Sequence, residues 1–279
     1  MKGFHYREVE HKTIKYYPTF WQAVNLIVLY TFLQTIIDFP LALYDYQYGT
    51  DWLREPLLKI PIFFATTFII LFLGTRFSGL PYRDIFPLKS FHWLNIPALL
   101  ISLVALQFFM NEITIHVDKM LPPPGWFMEL FAKIFESDIG IWGGILRVVV
   151  LAPIVEELIF RGVIFSGFQR IYPAFLAIFF SALLFSLFHL NPWQLGPTFL
   201  LGLLLGFVRL RTGSLVAAIF THALHNGMIF FSVYYHDAYT VPGFLQPGKL
   251  QNYVVNLFLL AGGVVLIWFA NRKKSVEVK

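Results

Sequence analysis

Residues 151–170 read LAPIVEELIFRGVIFSGFQR, an apolar helical pattern of membrane-spanning length with Glu156, Glu157 and Arg161 set in its middle. Ionisable groups at such a depth cost several kcal/mol each, so they are expected to face a protein interior or a watery cavity and to have partners. Helix geometry sorts the three. Glu157 and Arg161 are four apart and share a face, whereas Glu156 is turned about 100° away from Glu157. Arg161 is therefore expected to satisfy Glu157 and to leave Glu156 free to point elsewhere. Pro153 removes one backbone donor and favours a kink that opens space beside the carboxylate. A buried ion pair that only fixes packing accounts for Glu157 and Arg161 but leaves Glu156 without a partner.

The composition agrees with a membrane setting. Of 279 residues, 57% are hydrophobic and 13% charged, with a mean hydropathy of +0.66, against about 25% charged in soluble domains. The fold class expected is all-α: a polytopic membrane protein whose partner is the lipid bilayer. The absence of cysteine excludes disulfides, thiolate metal sites and a cysteine nucleophile. The net charge of +5 is spread over loops and tails rather than gathered on a soluble module. It therefore points to membrane orientation and not to nucleic acid.

At roughly 20 apolar residues per span, eight candidates follow, bounded by residues 20–43, 57–75, 94–116, 141–168, 173–190, 194–208, 213–235 and 252–270. Asn111 and Glu112 fall near the end of the third and are expected at the interface, and Arg147 is expected to snorkel or pair near the opposite interface. Pro122, Pro123 and Pro124 interrupt the chain, and a short interfacial helix can follow them. Residues 1–19 form an N-terminal segment without signal-peptide character. Residues 20–271 make one eight-helix membrane domain around a polar intramembrane cavity, with a motif-bearing core at about 140–235, and 272–279 are a basic tail. In this arrangement 14 of the 21 basic residues fall on the side of the termini and 5 on the other. The positive-inside rule then places both termini in the cytoplasm, with a plasma (inner) membrane as the expected location.

Two further polar clusters interrupt apolar spans. The fifth span ends FSLFHL, with Phe185 and His189 four apart, and the short turn near Arg170 puts His189 and Glu156 at similar depth. The seventh contains THALHN, with His222 and Asn226 on one face and His225 close to His222. Such residues are costly in lipid unless they bond across helices or line a cavity. Known intramembrane hydrolase signatures are missing: there is no HExxH, no GxS and no GxGD. What remains is a carboxylate, imidazoles and a carboxamide from three helices. With this set Glu156 can act as general base on water, His189 can help hold that water, and His222 and Asn226 can donate to the oxyanion.

EELIFR (156–161), FSLFH (185–189) and HALHN (222–226) match, in order and spacing, the EExxxR, FxxxH and HxxxN motifs of the CPBP family, also called Abi or CAAX-protease-like. The chain thus resembles a group of intramembrane endopeptidases that includes the Ras-converting CAAX prenyl endopeptidase and bacteriocin self-immunity proteins. The resemblance covers about residues 140–235. It implies a peptide or protein substrate at the membrane, Glu156 as catalytic base and Glu157 with Arg161 as its supporting pair. It also implies His189 as a second catalytic-cavity residue and His222 with Asn226 as the oxyanion hole. His225 is unassigned. No cofactor is expected, Asn226 being a poor zinc ligand and a good oxyanion donor. The alternative is a metalloprotease with zinc on Glu156, His189 and His222. A transporter, or a non-catalytic immunity or scaffold protein, would use the same residues differently.

Overall fold

The computed structural model describes residues 16–50, 52, 56–132, 140–235 and 242–272. Most of the expected N-terminal segment and nearly all of the basic tail lie outside the described residues. Regular structure among the described residues is helical throughout. The chain runs through α1 (Phe20–Tyr48), α2 (Pro56–Ser78), the single turn α3 (Tyr82–Ile85), α4 (Asn95–Met120) and α5 (Gly125–Ala132), the short helix after the three prolines. A composite rod from Ile141 to Ile171 follows, then α9 (Ala174–Phe188), α10 (Leu195–Thr212), α11 (Leu215–Tyr234) and α12 (Leu250–Ala270). The rod consists of α6 (Ile141–Gly144), α7 (Ala152–Glu157) and α8 (Phe165–Ile171), separated by π-helical stretches at Ile145–Leu151 and Leu158–Ile164.

Six of these helices, α1, α2, α4, α10, α11 and α12, are long and apolar enough to cross a membrane. The structure confirms six of the eight spans expected from hydropathy, and the other two candidates differ from a plain long α-helix. α9 is only 15 residues long and stops before the turn at Asn191 and Pro192. The fourth candidate is apolar over a sufficient length and is one continuous rod, but it alternates α and π turns, each i→i−5 turn adding one residue to the α register.

From Ile159 to Phe168 every residue is buried. A helix that is hydrophobic on all sides is one enclosed on all sides, and the rod is enclosed by α2, α9, α10 and α11. α12 packs on α4 and α1 on α2. α1 buries only Ala23, Leu26 and Tyr30 and presents Val28, Phe32, Ile36 and Phe39 outward, as a lipid-facing helix does.

Lipid tails are as apolar as leucine, so helices associate here through close packing and interhelical hydrogen bonds. A Cβ on Gly202 of α10 would stand 2.8 Å from Ala182 Cα of α9. Glycine at 202 therefore lets the two backbones touch. Near that seam Ser181 Oγ donates to Phe160 O of the rod at 3.3 Å. Gly213 ends α10 in the left-handed conformation, φ 59°, and Ser214 Oγ immediately caps α11 by accepting from Ala217 N–H. This tight turn fixes the depth of α11 relative to α10, and with it the depth of His222.

Candidate active site

Pro153 shapes the site from the backbone outward. Ala152 N–H donates to Arg147 O, five residues back. Carried on by one residue, that register assigns Val148 O to residue 153, which as proline has no N–H to give. The carbonyl is satisfied from another helix: Asn226 Nδ2 of α11 donates to Val148 O at 2.9 Å. Asn226 thus ties α11 to the rod about two turns before Glu156, and one hydrogen of its amide is committed to that bond.

Glu157 and Arg161 are both fully buried. Arg161 Nη1 donates to Glu157 Oε1 at 2.9 Å and Nη2 to Gly202 O at 3.0 Å, and the guanidinium lies 4.5 Å from the centre of the Phe185 ring. Glu157 has a second partner that spacing alone did not suggest: His222 Nδ1 is 3.0 Å from the same Oε1. A carboxylate on Nδ1 fixes the orientation of an imidazole. The other ring nitrogen, Nε2, is then 3.8 Å from Glu156 Oε2. That is too long for a hydrogen bond, and Glu156 Oε2 is buried with no hydrogen-bond partner.

His189 closes α9, where its Nδ1 meets Phe185 O at 2.8 Å. The Phe185 ring is edge-on to His189, 4.9 Å between centroids, and to His222, 5.5 Å. Phe185 therefore spaces the two imidazoles while carrying Arg161 on its face. Its motif position has a physical function as a wedge.

Glu156, His189, His222 and Asn226 line one cavity of about 590 Å³, and Glu157 and Arg161 stand behind its wall. His225 lines it as well. Asn111 and Arg147 also line the cavity. Glu112 is buried, accepting from Gly248 N–H at 2.9 Å. The signal that would have found the α4 contribution is the spacing of Gln107, Asn111, Thr114 and Asp118, which fall on one helical face and all line the cavity.

Residues 138–228 match the family described as Type II CAAX prenyl endopeptidase Rce1-like. The match covers the motif-bearing third of the chain and supports its likeness to CAAX-type proteases. Comparison with curated proteins and with solved structures gave no match. The matched segment supplies the rod, α9, α10 and the first two thirds of α11, which carries His222 and Asn226. α4, which completes the cavity, lies outside it.

Among the described residues there is no group of three histidine or carboxylate side chains placed to hold a metal ion. Nδ1 is the engaged ring nitrogen of both His189 and His222, which leaves Nε2 of each as the free one.

Proposed function

We propose that the chain is an intramembrane endopeptidase of the glutamate type, with Glu156 as general base. The observation that carries this reading is Glu156, whose Oε2 is a buried acceptor with no partner 3.8 Å from His222 Nε2, on a residue that lines one cavity with His189, His222 and Asn226. A water held in the cavity between the Glu156 carboxylate and the imidazoles is the nucleophile. Glu156 takes a proton from that water as its oxygen attacks the carbonyl carbon of the scissile peptide bond. The carbonyl electron pair moves onto oxygen, and the oxyanion accepts from His222 Nε2–H and from the second Nδ2–H of Asn226. On collapse the carbon–nitrogen bond breaks and Glu156 hands its proton to the leaving amine.

The roles follow from the contacts. His222 is held through Nδ1 on Glu157 and turns Nε2 toward the oxyanion. Arg161 holds Glu157 in place. His189, anchored through Nδ1 to Phe185 O, offers Nε2 to the water. A positioned base is worth about 10²–10⁴-fold and an oxyanion donor about 10²–10³-fold.

The substrate is a peptide or protein segment at the membrane, prenylated or not, and residues 20–271 act as one membrane domain around the cavity. The protein resides in the plasma (inner) membrane with both termini cytoplasmic. The cavity is lined by the second half of α4, the middle of α11 and the start of α10. Its mouth is therefore away from Arg170, Arg209 and Arg211 and opens on the non-cytoplasmic face.

Glu156→Gln tests the reading. Comparison of peptides from wild-type and variant cells is expected to show cleavage products that disappear in the variant. An unchanged peptide profile, with any immunity phenotype retained, would mean a binding or scaffold protein instead.

A further inference from the structure

α4 turns a polar face to the cavity although it lies outside the Rce1-like segment. On that face Gln107 Nε2 donates to Asn111 Oδ1 at 2.7 Å, which holds both carboxamides in place. Two groups are left over. Gln107 Oε1 is buried with no hydrogen-bond partner, and among the described residues Asn111 Nδ2 has no acceptor. One turn further along, the Thr114 hydroxyl donates to Met110 O at 3.0 Å and keeps its lone pairs. A buried polar atom without a partner costs about 1–3 kcal/mol, so this acceptor needs a donor that the described residues do not supply.

An unmet acceptor beside an unmet donor is the complement of a peptide unit, which carries one N–H and one C=O. A lipid tail offers neither. We infer that this face of α4 is the peptide-docking wall of the cavity. It takes the main chain of an extended substrate through Gln107 and Asn111, and so selects for unfolded backbone rather than for particular side chains. From Gln107 to Asp118 the helix rises about 16 Å, the length of roughly five extended residues. This docking role deepens the endopeptidase reading and rests on it for the identity of the ligand as substrate.

The probe is a pool of biotinylated random decapeptides, with a second pool N-methylated along the backbone so that its donors are gone. Retention of each pool is measured on full-length Glu156→Gln protein in detergent, and on the same protein carrying Gln107→Met and Asn111→Leu, which keep side-chain volume in an apolar helix. The unmethylated pool is expected to bind Glu156→Gln about fivefold better than the methylated pool, the loss of the one N–H donated to Gln107. The added substitutions are expected to erase that difference. Equal retention of the two pools on Glu156→Gln, retention unaffected by the two α4 substitutions, or no retention at all overturns the docking wall. Cleavage of the unmethylated pool by wild-type protein is scored separately. Binding without cleavage would refute the endopeptidase and leave the docking wall standing.

Discussion

Glu157 Oε1 receives His222 Nδ1 at 3.0 Å, on the same oxygen that accepts Arg161 Nη1 at 2.9 Å. The glutamate next to the proposed base thus aims the imidazole across at Glu156, while the arginine holds that glutamate still. Neighbouring carboxylates in one sequence motif have separate tasks because they lie on different sides of the rod.

Arg161→Ala is expected to lower stability by about 3–5 kcal/mol, the cost of leaving a fully buried charge without its partner. Gly202 O and the Phe185 face lose their contacts in the same variant. Thermal unfolding of the purified protein in detergent measures it. Arg161→Lys should recover only part of the loss, because an ammonium cannot make the forked contact to Glu157 and Gly202.

Asn226→Ala should have two separable effects. Val148 O loses its donor, at about 1–3 kcal/mol of stability, and cleavage falls by about 10²–10³-fold through the lost oxyanion donor. Adding Pro153→Ala supplies a backbone N–H for Val148 O. Unfolding temperature is then expected to recover while activity does not.

The topology has a direct chemical readout, because the native chain contains no cysteine. Met128→Cys places a thiol at an exposed residue on the cavity rim. A membrane-impermeant maleimide applied to intact cells is expected to label it, and to label Arg272→Cys only after permeabilisation. The reverse pattern would turn the cavity mouth to the cytoplasm.

Chelation distinguishes the two hydrolytic chemistries. Peptide cleavage by the purified protein is expected to survive prolonged treatment with a strong chelator. Loss of activity that zinc restores would assign Glu156, His189 and His222 to a metal after all.

The sequence by itself determined the membrane class, the helical fold and the residues that stand together. Lipid imposes a steep penalty on every charge and amide, so Glu156, His189, His222 and Asn226 stood out against apolar spans, and i,i+4 spacing was enough to pair Glu157 with Arg161. It did not reveal that His222 rests on Glu157, that Asn226 completes a carbonyl orphaned by Pro153, or that α4 supplies a polar wall. Those relations join residues as much as 78 positions apart, and they depend on π turns that shift side chains around the rod. Helical periodicity describes one helix at a time. Only the packing of several helices decides which of their faces meet.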